Sequence, residues 1–199
     1  MKSKGLIISI VVISIMLLPA LVMPSFAQNQ GIYNSTNNQK TEENIEQEEV
    51  YSQVTLHKDN WFDFVNEYWE KYTTKATVID CQTGKSYVVK RVGGYNHADV
   101  EPINSSNTSI MKSIYNNTWQ WTRRPVWVEI KGRYIAGSIN GMPHAYDYIE
   151  GNDMIGHTCI HFYKSRTHGS DNWDPAHREA VETAFARSDL LNDYIKNKN

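Results

Sequence analysis

Cysteine is scarce in this sequence, since its 199 residues contain only Cys81 and Cys159. Two cysteines in an exported protein can form one disulfide. Two features argue against that pairing, because Cys81 lies in a strand-like run and Cys159 has histidine neighbours that a structural disulfide does not need. Three roles therefore stay open for Cys159: a reactive thiol, a metal ligand or half of a disulfide.

Basic residues are not in excess either. The chain has 20 Lys and Arg against 22 Asp and Glu, a formal net charge of −2. Removal of residues 1–27 would take away two lysines and no acidic residue, which brings the net charge to −4. A nucleic-acid-binding protein needs a basic face, so this composition argues against that class.

The N-terminal apolar run is too short to predict a membrane-spanning helix. It extends from Leu6 to Leu18, whereas a spanning helix needs about 20 residues. Lys2 and Lys4 precede it, and a small-x-small cleavage site ends at Ala27. These features predict a secretory signal peptide over residues 1–27, with an uncleaved membrane anchor as the alternative. After cleavage, no membrane attachment is expected.

A polar segment follows the predicted cleavage site. Residues 28–55 are rich in Asn, Gln, Glu, Ser and Thr and have few large apolar residues. Such a segment cannot bury enough surface to offset the entropy of ordering, so we expect a disordered tether. No internal repeat is evident. Residues 56–199 are expected to form a single domain.

Alternation of apolar and polar residues predicts several strands. Residues 76–81 and 86–92 flank a turn-forming segment, and 125–130 and 134–139 flank another, so each pair predicts a hairpin. Residues 158–163 predict one more strand. The fold class indicated is α+β, with a small, mixed, mainly antiparallel β core and flanking helices.

Helices are predicted from apolar stripes and capping residues. The apolar residues from Trp61 to Trp69 recur at helical spacing after Asp59 or Asn60 as the N-cap. His177 falls in the first turns of a later helix and is expected at the surface. Three other helices are predicted. One covers residues 109–115, another begins with Pro175 at its first position after Asp174 as the N-cap, and the last begins at Ser188.

The segment that carries most chemical information is Gly156-His157-Thr158-Cys159-Ile160-His161. In a strand, His157, Cys159 and His161 project to the same face. His144 lies upstream in a turn-rich loop that can fold back over this strand. A thiol is a good nucleophile only as thiolate, and a nearby imidazole is the usual group that takes its proton. The pattern predicts a cysteine–histidine pair for acyl transfer, with backbone amides holding the oxyanion.

This arrangement resembles the active-site signature of the L,D-transpeptidases, cysteine enzymes that crosslink bacterial peptidoglycan. That family has a histidine, a gap of similar length, then Ser/Thr-His-Gly-Cys, a branched apolar residue and Arg or Asn. The tract from Val126 to Gly141 also resembles the β-rich run before that histidine. From Ala76 to Ala184, the chain resembles more closely an uncharacterised domain of secreted Firmicutes proteins, which sometimes accompanies peptidoglycan-binding repeats.

The resemblance implies an L,D-transpeptidase-like fold and acyl transfer on peptidoglycan stem peptides at the cell wall, without a cofactor. Cys159 would be the nucleophile and His144 the base, oriented by the carbonyl of Ala145. His157 would line the site. The amides of Thr158 and Cys159 would form the oxyanion hole.

Three positions depart from the family pattern. Gly156 replaces Ser or Thr, Thr158 replaces the glycine, and His161 replaces Arg or Asn. The last change bears on crosslinking, because Arg or Asn there should help to place the substrate. A threonine is also unfavourable if that position needs a positive φ. His161, together with Arg166 and His168 beyond the strand, is expected to contact the substrate.

A zinc site is the alternative. His157, His161, His168, His97 and Asp99 offer imidazoles and a carboxylate, which are ligands that zinc takes. Zinc hydrolases use three protein ligands and a water molecule. The sequence has no His-Glu-x-x-His motif, so no complete zinc signature supports this alternative.

A third class is a non-catalytic peptidoglycan-binding module. Trp119, Trp121, Arg123 and Arg124 form an aromatic and basic cluster that suits sugar stacking or a peptide carboxylate. Packing of the same residues at a junction between a helix and a strand is the alternative interpretation.

Overall fold

The computed structural model describes residues 53–198. The predicted signal peptide lies outside the described residues, as does the predicted tether up to residue 52. At the start of the described part, the Val54 amide donates to Asn192 Oδ1 at 2.8 Å. Within residues 53–198, no helix combines the length and the apolar character that crossing a bilayer requires.

Seven strands within the described residues form one sheet. They are β1 Leu56–His57, β2 Lys75–Asp80, β3 Ser86–Gly93, β4 Ala98–Pro102, β5 Gln120–Ile130, β6 Arg133–Gly141 and β7 Thr158–His161. Every pairing between neighbouring strands is antiparallel except that of β1 with β6. The predicted α+β class with a mainly antiparallel core is confirmed.

The sheet closes on itself into a barrel. Its strand order is β1-β6-β5-β2-β3-β4-β7, and β7 also pairs with β6. The strands β1 and β7 share one edge of β6, since Tyr134 and Ile135 pair with β1 whereas Ser138 and Ile139 pair with β7. The short strand β7 therefore completes the ring between β4 and β6, and it carries Cys159.

The first predicted hairpin forms as expected, and its turn explains why. The carboxylate of Asp80 accepts hydrogen bonds from the Thr83 amide at 2.9 Å and the Thr83 hydroxyl at 2.7 Å. Gly84 has φ +68°, which glycine adopts without steric cost. Arg124 on β5 binds the same carboxylate through two hydrogen bonds of 2.8 Å, so the turn is also tied to the neighbouring strand.

Several helices pack on the barrel. They are a π-helical turn Trp61–Val65 that continues as α1 Asn66–Tyr68, then α2 Ser105–Ile114, α3 Pro175–Phe185 and α4 Ser188–Lys196. Asn60 caps the first of them by accepting from the Phe62 amide, an interaction of about 1 kcal/mol. Helix α2 packs on β3 and β4, and α3 packs on β5 and β6. Trp61 and Trp69 are fully buried and pack against Phe162 just after β7.

Helix α3 begins at Pro175 after the N-cap Asp174, as predicted. It packs on β5 and β6, where the Trp127 indole donates to the Ala184 carbonyl at 3.0 Å. The prediction that His177 lies at the surface is wrong. This side chain is only 3% exposed, and its Nδ1 lies 2.8 Å from the Ser138 hydroxyl on β6. Its position within the first turn did not reveal which face of the helix packs on the sheet.

The strand β4 was not among the predicted strands. The sequence predicts His97 and Asp99 only as possible metal ligands, whereas all five residues of β4, Asp99 among them, are buried in the sheet. The polar side chains of Asp99 and Glu101 have partners from other parts of the chain, which makes their burial tolerable. This strand is the element that places Asp99 next to Cys159.

Candidate functional site

The candidate site forms where β4 pairs with β7. In the register of that pairing, Asp99 is directly opposite Cys159. The Cys159 Sγ lies 3.8 Å from Asp99 Oδ1, and the cysteine is 3% exposed. The two thiols of the described chain, Cys81 and Cys159, are both free and buried, so the disulfide alternative does not hold in the structure.

The loop between β6 and β7 brings His144 back to the strand. His144 and His157 form an antiparallel bridge, with the His144 amide donating to the His157 carbonyl at 2.8 Å and the reverse bond at 3.0 Å. Gly156 has φ +96°, and a Cβ at this position would lie 2.7 Å from the His144 carbonyl oxygen. Glycine is therefore required here, where the related signature has Ser or Thr.

Glu101 fixes the far part of the same loop. Its side chain is fully buried and accepts hydrogen bonds from the amides of Tyr148 at 2.8 Å and Ile149 at 2.9 Å. Asn152 donates to the same carboxylate and to the Pro102 carbonyl. One acidic side chain of β4 therefore holds the loop that presents His144. Burial raises the pKa of Glu101, although the loop amides oppose that shift.

Among the polar groups around the thiol, His144 makes the shortest contact. Its Nε2 lies 3.2 Å from Cys159 Sγ, and its Nδ1 lies 2.9 Å from the Met142 carbonyl oxygen. A carbonyl only accepts, so Nδ1 carries the ring proton and Nε2 presents a lone pair to the thiol. The resemblance implies that the Ala145 carbonyl orients the ring. In the structure the Met142 carbonyl does so instead. Ala145 instead adopts φ +57° in the turn.

His157 lies in the same space, and only one of its two ring nitrogens has a hydrogen-bond partner. Its Nδ1 lies 3.1 Å from the Tyr146 carbonyl oxygen, and the residue is 4% exposed. Its Nε2 has no hydrogen-bond partner among the described residues. Asp99 Oδ1 lies 3.7 Å from this nitrogen.

His97 and His168 complete the group on the other side of Asp99. Both Nε2 atoms lie 3.3 Å from Asp99 Oδ1 and 2.9 Å from each other. His97 Nδ1 lies 2.6 Å from the Arg166 carbonyl oxygen, and His168 Nε2 lies 3.6 Å from Cys159 Sγ. His168 is the accessible member, because its side chain is 55% exposed.

The charges of these groups follow from burial and from Asp99. Burial raises the pKa of the Cys159 thiol well above its usual value, and the Asp99 carboxylate adds to this rise. Burial lowers the pKa of His144 and of His168. Burial acts to raise the pKa of Asp99, but hydrogen bonding to His97 and the nearby His157 lower it overall. At neutral pH the thiol is protonated, His144 and His168 are neutral and Asp99 is charged.

The side chains form two overlapping sets of metal-ligand type. In each set the ligand atoms all lie within 4.8 Å of one another. The structure thus brings together four of the five histidine and aspartate residues predicted as zinc ligands, all except His161. It also adds Cys159, for which a ligand role was open, and His144, which was predicted only as a catalytic base. One set is His144, His157, Cys159 and His168, and the other is His97, Asp99, Cys159 and His168.

His161 is not brought into either set. It is buried and stacked between His97, with ring centroids 4.4 Å apart, and His177, with ring centroids 3.7 Å apart. Burial and His177 lower its pKa well below the usual range, so its ring is neutral at physiological pH. His161 therefore packs behind the site as part of a column of imidazoles, rather than facing a substrate at its mouth.

Thr158 and Arg166 are also engaged in the structure. The Thr158 hydroxyl donates to the Asn140 backbone carbonyl on β6, and Thr158 is not among the residues with positive φ. The Arg166 guanidinium pairs with Asp171 at 2.7 Å. Asn140 was not singled out from the sequence, yet its side chain accepts from the Met142 amide and the Thr158 hydroxyl. Asn140 thus links β6 to both segments of the site.

Exposed aromatic rings border the site. Trp121 is 49% exposed and its ring centroid lies 5.0 Å from that of His144. Tyr148 lies 6.1 Å from His157 by the same measure, and Tyr146 lies next to Tyr148. The neighbouring Arg123 and Arg124 instead pair with Asp174 and Asp80. Trp121 is thus available to a ligand, whereas the two arginines form ion pairs within the protein.

Comparison with known proteins returned no match to any family model, to any curated protein or to any solved structure.

Proposed function

We propose that this chain is an exported cell-envelope enzyme that performs L,D-transpeptidase-like acyl transfer, with Cys159 as the nucleophile and His144 as the base. The observation that carries the proposal is the 3.2 Å contact between His144 Nε2 and Cys159 Sγ. The Met142 carbonyl fixes the tautomer in which Nε2 is unprotonated. This is the geometry that general-base activation of a thiol requires.

The chemistry proceeds in two acyl transfers. His144 Nε2 takes the thiol proton as Cys159 Sγ forms a bond to the donor carbonyl carbon, and the imidazolium then gives that proton to the departing amine. The C–N bond breaks and a thioester remains. An acceptor amine attacks the thioester, His144 removes its proton, and that proton returns to Sγ as the C–S bond breaks. Water in place of the amine would give hydrolysis.

The neighbouring carboxylate decides when the thiol loses its proton. Burial and Asp99 raise the pKa of the Cys159 thiol, so a resting thiolate is disfavoured. The same carboxylate favours the protonated form of His144. Deprotonation therefore accompanies attack on the carbonyl rather than preceding it. The amides of Thr158 and Cys159 are the proposed donors to the oxyanion.

Peptidoglycan stem peptides are the proposed substrate. Support comes from the resemblance of the His144 to His161 segment and from the exposed rings of Trp121 and Tyr148 beside the thiol. Aromatic faces of this kind suit stacking on sugar rings or apolar side chains. A zinc-dependent hydrolase ranks second, because a catalytic zinc needs a coordination position left open for water, whereas the residues around Cys159 supply four protein donors at once.

The proposal is tested by intact-mass measurement of the full chain, expressed with its own N-terminus and purified metal-free, after incubation with stem-peptide fragments. We expect a covalent adduct on Cys159 that hydroxylamine removes, as it does thioesters. Cys159→Ala should abolish the adduct, and His144→Gln should slow its formation at least 100-fold, about the contribution of a general base. Cys81→Ala is the matched control and should leave adduct formation unchanged. The N-terminus found in the same spectrum also tests cleavage after Ala27.

Failure of the metal-free wild-type protein to form any adduct, with its fold intact by circular dichroism, would refute the acyl-transfer proposal. An adduct that survives in Cys159→Ala would refute the assignment of the nucleophile.

A further inference from the structure

The site gathers electron-rich atoms around one small space. The Met142 and Tyr146 carbonyls only accept hydrogen bonds, so each holds a proton on the Nδ1 atom of the imidazole it contacts. The Nε2 atoms of His144 and His157 then present lone pairs. They lie in the same small space as the sulfur of Cys159. The Asp99 carboxylate lies beside this sulfur and beside His157 Nε2.

His157 shows that this arrangement is incomplete. Its Nε2 is buried without a hydrogen-bond partner among residues 53–198, and a buried polar atom left without a partner is destabilising. The Asp99 carboxylate oxygen lies 3.7 Å from it, but this oxygen is electron-rich and cannot donate a hydrogen bond. A cation in the shared space removes this conflict. A histidine that donates Nδ1–H to a backbone carbonyl while Nε2 points inward is the usual arrangement of a metal ligand.

We propose that His144, His157, Cys159 and His168 bind one divalent metal ion of the zinc class. Their ligand atoms all lie within 4.8 Å of one another. The sulfur lies 3.2 Å from His144 Nε2 and 3.6 Å from His168 Nε2. These are close to the roughly 3.3–3.6 Å edges of a tetrahedron built from zinc–nitrogen bonds of about 2.0 Å and a zinc–sulfur bond of about 2.3 Å.

Charge favours the same assignment. Binding releases the Cys159 thiol proton to solvent, the three imidazoles bind as neutral ligands, and no electron is transferred. The charges of a divalent ion, one thiolate and the adjacent Asp99 carboxylate then sum to zero. A neutral sum is favourable for a group of buried charges. Without the ion, the same carboxylate raises the pKa of the thiol. Asp99 therefore hinders a free thiolate but fits a metal-bound one.

The second overlapping set fits an ion less well. Its members His97 and His168 have Nε2 atoms only 2.9 Å apart, a hydrogen-bond distance that is shorter than the edge of about 3.3 Å expected for two zinc-bound imidazoles. His97 lies behind Asp99 and stacks on His161. His97 and Asp99 therefore belong outside the coordination sphere, where the Asp99 carboxylate balances the charge of the ion.

Metal binding occupies both atoms that acyl transfer needs. The thiolate sulfur and His144 Nε2 cannot serve as nucleophile and base while they bind the ion. The consequence, which rests on the proposed function, is that the metal-loaded form is latent and metal release exposes the nucleophile. The metal site itself does not depend on that function, so the two can fail separately.

The test uses the full chain purified without chelator, with zinc measured by elemental analysis and the site examined with Co²⁺ in place of zinc. We expect about one metal per chain and a thiolate-to-cobalt charge-transfer band. Cys159→Ala should abolish the band, and His157→Ala should weaken metal affinity at least tenfold. The matched controls are Cys81→Ala and His57→Gln, which should bind as the wild type does. Circular dichroism confirms that each variant is folded.

Substoichiometric metal in folded wild type, or a cobalt spectrum that Cys159→Ala leaves unchanged, would overturn the metal site. The acyl-transfer assay, run with and without one equivalent of Zn²⁺, tests the link to function. An adduct seen only without zinc supports latency, and equal adduct formation in both conditions overturns it. Absence of adduct in both conditions, with zinc bound, would sink the acyl-transfer function and leave the metal site standing.

Discussion

Lowering the pH from 8 to 5 should destabilise the fold through two buried histidines, His161 and His177. Burial lowers the pKa of His177 from an ordinary value near 6.5 to about 3, and it also lowers that of His161 well below the usual range. Below pH 6.5 the unfolded chain takes up protons that the folded chain does not, so stability falls as the pH falls. At pH 5 the loss from His177 is about 2 kcal/mol, a large part of the total stability of a domain, and His161 acts in the same direction.

The assay is urea unfolding of metal-free protein at pH 8 and pH 5, for wild type and His177→Gln. The quantity compared is the change in unfolding free energy between the two pH values, because the substitution also alters the contact with Ser138. The loss should be about 2 kcal/mol smaller in His177→Gln than in wild type. His57→Gln, which changes a half-buried histidine of β1 that contacts Arg133, is the control and should retain the full loss. Equal losses in wild type and His177→Gln would refute the argument from burial.

Three further substitutions test the loop and the charge beside the thiol. Gly156→Ala should lower the unfolding free energy by about 1–3 kcal/mol and slow adduct formation, because φ +96° and the His144 carbonyl exclude a Cβ; Gly132→Ala, in an open turn with positive φ, is the control for backbone strain alone. Glu101→Ala should destabilise the fold by about 1 kcal/mol per lost hydrogen bond to the loop, whereas Glu101→Gln, which keeps one acceptor oxygen, should lose less; equal melting temperatures for the two variants would contradict the role of Glu101 in holding the loop. Asp99→Asn should lower the pKa of Cys159 in metal-free protein, measured as the pH dependence of iodoacetamide labelling, and an unchanged profile would show that burial alone sets it.

Local signals were sufficient for many of the elements. The helix that starts after Asn60 and the one that starts after Asp174 both have the side-chain caps that the residue types predict. The hairpin around Gly84 follows from a turn whose hydrogen bonds are made within four residues. These features depend on neighbours in sequence, which is why sequence patterns reveal them.

The strand β4 shows where local signals fail. Its apolar and polar residues alternate only over Ala98 to Glu101, and the two polar residues are acidic. The groups that make the burial of these carboxylates favourable come from elsewhere in the chain. Glu101 is satisfied by amides of the β6–β7 loop, and Asp99 by histidines before β4 and after β7. The position of His177 failed for the same reason, since only the packing of α3 on β6 decides which face is buried.

The sequence predicts the chemistry of the candidate site, but it does not predict the full set of residues that form it. The pairing of Cys159 with His144 follows from a loop returning to its own strand, and the structure has this contact. The exclusion of His161 could not be foreseen, because strand alternation gives it the same face as Cys159. The stacking with His97 and His177 that removes it from the site depends on two distant segments.

The closure of the barrel by β7 has a consequence for how the thiol is handled during folding. Cys159 is flanked by Asp99 through the pairing of β4 with β7, and the β6–β7 contacts seal the other side. Residues 99 and 159 are far apart in sequence, and such contacts form late because a long loop must close first. A chain that has formed its hairpins but not yet the pairings of β7 with β4 and β6 still exposes Cys159. The rate at which Cys159 becomes protected from a thiol reagent during refolding therefore reports the rate at which the barrel closes.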